Sequence, residues 1–168
     1  PVGVLVAGTQ GWIGYMVQQS LQNALDRFGV KRDVTTIVTQ VVVDVDAPES
    51  REPVKPIGRT MDEATARALE KEGVPVRETP KGWRRLIASP RAIRIVEHDQ
   101  IRRLVESGTI VIAAGGGGIP VYIDPKLGIE GMDAVIDKDR AGQVLAGDID
   151  ATEFVILTNV DGVYRDFG

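Results

Sequence analysis

Residues 110–120 read Ile110-Val111-Ile112-Ala113-Ala114-Gly115-Gly116-Gly117-Gly118-Ile119-Pro120, an apolar, β-branched run that leads directly into four glycines. A strand that ends in glycines presents backbone N–H groups with no Cβ in the way, a geometry that suits phosphate oxygens. Consecutive glycines also lose much conformational entropy on folding, which favours a phosphate or substrate loop over a flexible hairpin, the alternative interpretation. The run is not a Walker A loop, because no Gly-Lys-Ser/Thr follows it, and it lacks the spacing of the dinucleotide-binding fingerprint.

Two more apolar runs end in polar loops that contain aspartate. Ala134-Val135-Ile136 leads into Asp137-Lys138-Asp139, and Phe154-Val155-Ile156-Leu157 leads into Thr158-Asn159-Val160-Asp161-Gly162-Val163-Tyr164. In open α/β sheets, ligands gather at the carboxyl ends of the strands. Three such strand ends, with a lysine and several aspartates, predict a site for a phosphorylated nucleotide with a metal.

Each of these two loops also has a plain structural interpretation. Asp137-Lys138-Asp139 can be a helix N-cap with surface charges, and Asp161-Gly162 can be an ordinary turn after a strand. In the functional interpretation, Lys138 neutralises charge on a transferring phosphoryl group, and Asp139 orients lysine ammonium groups at a helix start. The last loop would then form a wall for a nucleoside, with Tyr164 beside the base.

Composition narrows the class of protein. The 168 residues are enough for one domain with a sizeable core. A net charge of −4 and a pI of about 5.1 give no bulk attraction to nucleic acid or to an anionic membrane. The chain has no cysteine, which excludes a disulfide framework and a thiolate metal site. No apolar segment approaches the roughly 20 residues that span a bilayer, and nothing resembles a signal peptide. Because the chain starts at Pro1 and stops just after a loop, we expect a piece of a longer protein.

The rest of the chain alternates between strand-like and helix-like segments, which favours an α/β fold with a parallel or mostly parallel sheet covered on both faces. Apolar residues such as Met16 and Val17 recur at helical spacing from Trp12 to Phe28 and predict an amphipathic helix. The segment from Asp44 to Pro90 is rich in proline and charge, and we expect it to leave the sheet as a small flap. Other predicted elements are strands at Val2–Ala7, Val34–Val43 and Thr109–Ala114, a turn at Gly8–Gly11, and helices at Met61–Glu72, Glu97–Glu106 and Arg140–Leu145.

Further motifs complete a pattern that covers almost the whole chain. They are, in order, Gly8-Thr9-Gln10-Gly11-Trp12-Ile13-Gly14-Tyr15-Met16, Lys55-Pro56-Ile57-Gly58, and Arg84-Arg85 with Ser89-Pro90. With the glycine run and the two aspartate loops, they resemble the carbamate kinases, which are members of the amino-acid kinase family. The last loop is shared with relatives such as uridylate kinase, whereas the flap motif, the arginine pair and the glycine run are more specific.

The resemblance implies a fold and an activity. The fold is a three-layer αβα sandwich with a mostly parallel central sheet, the amino-acid kinase fold, and a small protruding flap subdomain at about residues 45–90. The activity is reversible phosphoryl transfer between ATP and carbamate, with Mg²⁺ accompanying ATP or ADP. The resemblance also implies a cytoplasmic homodimer that makes ATP from carbamoyl phosphate and ADP in arginine catabolism, without nucleic-acid or membrane partners.

Roles carry over onto matching positions. The resemblance implies that Lys55 reaches from the flap to the transferring phosphate, that Lys138 contacts the nucleotide phosphates, and that Asp139 holds the catalytic lysines in place. No side chain is expected to be a metal ligand. The nucleotide- and phosphate-binding residues would be Gly115, Gly116, Gly117, Gly118, Asp137, Thr158, Asn159 and Tyr164.

The chain also departs from the family pattern. Whole carbamate kinases are nearly twice as long, and their Gly-Gly-Asn-Ala and His-Gly-Asn-Gly-Pro loops, which bind the acceptor side, do not occur here. We therefore expect residues 1–168 to be the central part of a single amino-acid kinase domain and to be inactive alone. Two alternatives remain: another amino-acid kinase such as uridylate kinase, or a non-catalytic fragment that binds nucleotide or dimerises.

Overall fold

The computed structural model describes residues 1–158 and Gly162, and it begins with one long helix, α1 (Val2–Arg27). The predicted strand at Val2–Ala7 and the predicted turn at Gly8–Gly11 are wrong, because both segments belong to this helix. Small or polar residues at three- and four-residue steps face the sheet, and they outweigh the low helix propensity of glycine. A Cβ on Gly14 would lie only 2.2 Å from Cγ2 of Thr36, so the missing side chain lets the helix approach the sheet closely.

The helix predicted from Trp12 to Phe28 lies almost entirely within α1, but its apolar face points away from the sheet. Trp12 is 71% exposed and Phe28 is 82% exposed, and Met16 is exposed as well. The buried positions on α1 are instead Gln10 and Gly14. Periodicity identified an apolar stripe on this helix correctly, but the sheet packs against a different one.

The predicted strand Val34–Val43 is divided between two sheets. Its first part, β1 (Val34–Thr36), pairs in parallel with β7 (Ile110–Ile112), which confirms the strand before the glycine run. Its second part, β2 (Gln40–Val42), enters a four-stranded sheet. Residues 37–39 connect the two sheets. The β-branched run therefore continues through them, while its partner strand changes from β7 to a strand of the four-stranded sheet.

The four-stranded sheet has a parallel centre and antiparallel edges. β2 pairs in parallel with β8 (Ile119–Asp124), the strand that follows the glycines. β6 (Arg94–Ile95) and β9 (Gly128–Gly131) flank this pair in antiparallel orientation, which gives the order β6-β2-β8-β9.

Residues 53–88 form a separate antiparallel sheet, here called the flap sheet. It consists of β3 (Pro53–Met61), β4 (Val76–Thr79) and β5 (Gly82–Ala88), in the order β3-β5-β4, and the short helix α2 (Pro48–Arg51) precedes it. The predicted helix at Met61–Glu72 appears as α3 (Glu63–Lys71), whereas the three strands escaped prediction. Strands that are only partly buried have no continuous apolar run. In a segment rich in proline and charge, the sequence therefore gives no clear signal for them.

Two helices cover the face of the four-stranded sheet opposite α1. They are α4 (His98–Glu106), which confirms the helix predicted at Glu97–Glu106, and α5 (Lys138–Asp148), which contains the one predicted at Arg140–Leu145. The core between these helices and the sheet consists of Val41, Val43, Ile95, Ile101, Ile136 and Ala141. The predicted α/β class, with helices on both faces of the sheet, is confirmed.

Two predicted strands do not form as expected. In the predicted Ala134–Ile136 strand, only Ala134 bridges Ala88, although Ile136 is fully buried. The predicted strand at Phe154–Leu157 is not a strand, because no described strand pairs with it, and Leu157 is 92% exposed. Of the helices that the described residues form, none has the length and apolarity needed to cross a membrane.

Candidate active site

The flap sheet reaches the start of α5 through one ion pair. Nζ of Lys55, on β3, lies 3.6 Å from Oδ2 of Asp137, and both side chains are partly exposed. Sequence motifs placed these two residues in one site although 82 positions separate them, and the structure brings them together. The contact places a cation from the flap beside the first turn of α5.

Asp137 is the N-cap of α5. Its Oδ1 accepts hydrogen bonds from the backbone N–H groups of Asp139 (3.0 Å) and Arg140 (3.3 Å). Burial acts to raise the pKa of Asp137, but the amides of Arg140 and Asp139 and the Lys55 ammonium outweigh it and hold the pKa below its ordinary value. The capping role predicted as the plain interpretation is therefore real, and it coexists with the contact to Lys55.

Lys138 and Asp139 form a second charged pair in the first turn of the same helix. Nζ of Lys138 donates to Oδ1 of Asp139 at 2.7 Å, and both side chains are solvent-accessible. The hydrogen bond to Asp139 raises the pKa of Lys138, with a smaller contribution from Asp137. Lys138 therefore remains an ammonium group, at a helix end that already favours anions.

The glycine run forms a tight loop against the segment that leads to Asp137. The N–H of Gly115 donates to the carbonyl of Ala113, and the N–H of Gly117 donates to the carbonyl of Ala114, both at 2.8 Å. A Cβ on Gly117 would lie 2.3 Å from the carbonyl oxygen of Ile136, so only glycine permits this approach. The loop and the start of α5 are neighbours because their backbones touch.

Within the loop, Gly115 and Gly116 are exposed, whereas Gly117 and Gly118 are buried. The exposed pair borders a cleft of about 380 Å³ between α1 and the ends of β1 and β7. Larger clefts of about 470 Å³ lie further along α1, away from the charged residues. We place the candidate site at the glycine loop and the first turn of α5, because the charged side chains lie there, although the clefts elsewhere have larger volumes.

Two residues that the sequence analysis did not assign to the site, Gln10 and Thr39, hold the loop from behind. Both are buried. The Gln10 amide makes two hydrogen bonds to the backbone of Thr39, and the Thr39 hydroxyl accepts a hydrogen bond from the N–H of Ala114. Gln10 lies within one of the motifs that carry the family resemblance, but its part in this network becomes visible only once the sheet-facing stripe of α1 is known.

The third predicted strand end is described in part. Thr158 is exposed and lies outside any helix or strand. Asn159 and Tyr164 lie outside the described residues. Their assignment to a nucleoside wall stays a prediction.

The donor set around the loop does not fit a protein-held metal. Within residues 1–158 and Gly162, no three histidine or acidic side chains are grouped so that they could bind an ion. Asp137 and Asp139, the carboxylates beside the loop, already contact amides or lysines. Mg²⁺ is usually held by one or two carboxylates together with substrate phosphates, so an ion at this site would depend on phosphate oxygens.

Comparison with known proteins agrees with the motifs. A model of the amino acid kinase family matches residues 16–168. The chain is 49% identical to a carbamate kinase of Pyrococcus horikoshii over 170 aligned positions, which cover 100% of this chain and 54% of that protein. The chain therefore spans about half the length of the curated relatives it matches.

Solved structures show the same similarity in three dimensions. A structure of carbamate kinase from Giardia lamblia bound to AMP-PNP is 38% identical, with a TM-score of 0.79, and the alignment covers 89% of this chain and 48% of that one. A crystal structure of a protein from Aeropyrum pernix K1 is 37% identical, with a TM-score of 0.90, and the alignment covers 100% of this chain and 55% of that one.

Proposed function

The chain belongs to the amino acid kinase family, and from this membership we propose that it forms the central part of a carbamate kinase. The reaction would be reversible phosphoryl transfer between ATP and carbamate. In the forward direction a carbamate oxygen attacks the γ-phosphorus of ATP, the bond from that phosphorus to the β–γ bridging oxygen breaks, and ADP and carbamoyl phosphate result. In reverse, carbamoyl phosphate and ADP yield ATP.

One observation carries this proposal: three separate parts of the chain meet at one place. Lys55 from the flap sheet contacts Asp137, Lys138 follows it in sequence, and the glycine loop packs against Ile136. Phosphoryl transfer requires positive charge and accurate positioning more than covalent chemistry by the protein. Two lysines and a glycine loop at one helix start supply both requirements.

Each residue then has a distinct task. Lys138, whose pKa the hydrogen bond to Asp139 raises further, would contact the nucleotide phosphates. Lys55 would exchange its contact with Asp137 for one with the transferring phosphoryl group, since both partners are anionic. The glycine loop would approach the phosphate oxygens at the exposed Gly116, where no Cβ stands in the way. Mg²⁺ bound with the nucleotide would neutralise part of the phosphate charge.

The wider setting also belongs to the proposal. We infer a homodimer that works in the cytoplasm and serves arginine catabolism, on the strength of the resemblance to carbamate kinases. The exposed apolar side chains of α1, such as Trp12 and Met16, offer a surface that a second copy could cover. The net charge of −4 gives no bulk attraction to nucleic acid, so anionic substrates would be held by local lysines.

The test uses the intact gene product in a coupled assay for ATP formation from ADP and carbamoyl phosphate, corrected for spontaneous breakdown. We expect turnover with this pair and none when UMP is offered to ATP as acceptor. Lys138→Ala should lower turnover on the order of 10²–10³-fold, because it removes a positive charge that would stabilise the nucleotide phosphates during transfer. Lys126→Ala is the matched control, since Lys126 lies in the exposed turn after β8.

The alternatives give different results in the same assay. Phosphorylation of UMP would identify a uridylate-kinase-like enzyme. Nucleotide binding without any transfer would favour a non-catalytic protein. A Lys138→Ala variant as active as Lys126→Ala would remove Lys138 from the reaction.

A further inference from the structure

We propose that Gln10 and Thr39 are positioning residues that hold the loop from Ala114 to Gly118 in the conformation that receives phosphate. Neither residue is expected to touch the reacting atoms. The inference rests on the proposed function, because it assigns these residues a part in that reaction. It follows from a continuous set of hydrogen bonds that runs from α1 to the glycines.

The first link joins α1 to residues 37–39, where the chain leaves one sheet for the other. Gln10 is 4% exposed, and its Oε1 accepts from the N–H of Thr39 at 2.8 Å. Its Nε2 donates to the carbonyl of the same residue at 3.1 Å. Buried backbone groups need partners. The glutamine amide is the partner of the Thr39 N–H, and it shares the Thr39 carbonyl with the N–H of Ile119 on β8.

The second link joins Thr39 to the loop. The Thr39 hydroxyl donates to the carbonyl of Ile37 at 2.9 Å and accepts from the N–H of Ala114 at 2.8 Å. One oxygen therefore ties the crossover to the first residue of the loop. Ala114 has a φ of +61°, in the left-handed region that residues with a Cβ rarely occupy. The hydroxyl thus holds Ala114 in a conformation that its own side chain disfavours.

The third link passes from Ala114 into the glycines. Its carbonyl accepts from the N–H of Gly117, which closes the turn around the exposed Gly115 and Gly116. Gln10 also supports the loop directly, because its Cγ lies 2.9 Å from where a Cβ on Gly115 would be. Both ends of the exposed pair are therefore fixed by residues that lie behind the loop.

The chain offers a matched control for the threonine. Thr39→Val removes the hydroxyl while keeping nearly the same shape, and Thr39→Ser keeps the hydroxyl. Thr36→Val makes the same chemical change on β1, where the hydroxyl is buried but bonds to none of the described residues. Gln10→Met breaks both bonds of the first link at similar side-chain length and is a second, independent variant.

The experiment measures kcat and KM for ADP in ATP formation, together with amide hydrogen exchange, on each variant of the intact gene product. Thr39→Val should lower kcat on the order of 10²-fold, since misplacement by about 1 Å can cost that much. KM should change much less than kcat, and Thr39→Ser should restore most of the rate. Exchange should quicken at residues 113–118 in Thr39→Val and Gln10→Met but not in α4, and Thr36→Val should resemble wild type in both measurements.

The outcomes separate this inference from the proposed function. If the wild-type protein makes no ATP but Thr39→Val selectively quickens exchange in the loop, the proposed function fails and the positioning role stands. Equal kinetic effects of Thr39→Val and Thr36→Val, unchanged loop exchange, or no recovery with serine would each overturn the positioning role. If Thr39→Val does not fold, the same comparison is made between Gln10→Met and Thr36→Val.

Discussion

At the scale of single residues, two adjacent glycines differ sharply in what they tolerate. A Cβ on Gly117 would meet the carbonyl oxygen of Ile136 at 2.3 Å, and its φ of +137° is unfavourable for any other residue. Gly116 has neither constraint, because nothing lies within 4 Å of its missing side chain. The run of glycines therefore contains both a packing requirement and an open position.

We predict that Gly117→Ala destabilises the protein, whereas Gly116→Ala leaves the free energy of unfolding near wild type. The strained backbone alone should cost about 1–3 kcal/mol, and the clash with the Ile136 carbonyl adds to it. Urea unfolding of the two variants measures the difference. Equal stability of the two variants would show that the loop does not pack on Ile136 as described.

Asp137 links the site to acid stability. Because its pKa is lowered in the folded protein, its charge contributes stability at pH values above about 3.9, the ordinary aspartate value. That contribution is lost as the pH falls through the lowered pKa of the folded state. We predict that Asp137→Asn, which caps a helix about as well, is less stable at neutral pH and loses less stability on acidification.

Thermal unfolding of both proteins between about pH 2 and pH 7 tests this, since the window brackets the ordinary aspartate pKa. The difference in melting temperature should be largest at neutral pH and should shrink toward pH 2. Because the Asp137 side chain is nearly half exposed, the effect should also weaken with added salt. A pH-independent difference would mean that capping, and not charge, makes the contribution.

At the scale of elements, the two ends of the flap sheet lie side by side. Pro53, at the start of β3, pairs with Ala88, at the end of β5, so the chain enters and leaves the flap at one point. None of the residues in the main core cluster belongs to the flap sheet. A short linker can therefore bridge positions that already lie side by side.

We predict that replacing residues 54–87 with a short glycine-rich linker leaves a folded sheet core and abolishes ATP formation. Catalysis should be lost because Lys55 is removed with the flap. Circular dichroism and thermal unfolding report the fold, and Lys55→Ala is the comparison, since it should lose most activity with the flap in place. An unfolded deletion variant would show that the flap contributes to the core.

Sequence patterns predicted elements well where local and tertiary preferences agree. The helix at Glu97–Glu106 and the strand before the glycines were correct, because α4 buries Ile101 and β7 has both a β-branched composition and a parallel partner in β1. Val2–Ala7 is helical although its composition favours a strand, because its small residues fit the close approach of α1 to the sheet. Phe154–Leu157 has strand composition, but a strand forms only beside a partner.

Sequence motifs identified the residues of the candidate site, but they did not identify the residues that hold its glycine loop in place. Lys55, Asp137 and the glycine loop were assigned to one site from sequence, and the structure brings them together. Gln10 and Thr39 were not assigned to it. Their role depends on which stripe of α1 meets the sheet and on the break between β1 and β2, and both features are tertiary.

At the scale of the whole molecule, much apolar surface is exposed. On α1 and in the segment 154–157, large apolar side chains face outward, including Leu5, Trp12, Phe28, Val155 and Leu157. Large exposed apolar patches usually mark interfaces. The curated relatives are nearly twice as long as this chain, so their remaining half is one candidate to cover it, and a second copy is another.

We predict that the 168-residue chain by itself self-associates and forms no ATP from ADP and carbamoyl phosphate. Exposed apolar faces drive association, and the sequence lacks the two glycine loops that the resemblance assigns to the acceptor. Without an acceptor site the reactants are not held in line, and misplacement by 1 Å alone can cost about 10²-fold. Light scattering after gel filtration and the coupled assay measure the two outcomes, with the intact gene product as the positive control.

Trp12→Gln with Met16→Gln should reduce association without restoring activity. Robust turnover by a monomeric 168-residue chain would show that the acceptor binds within these residues.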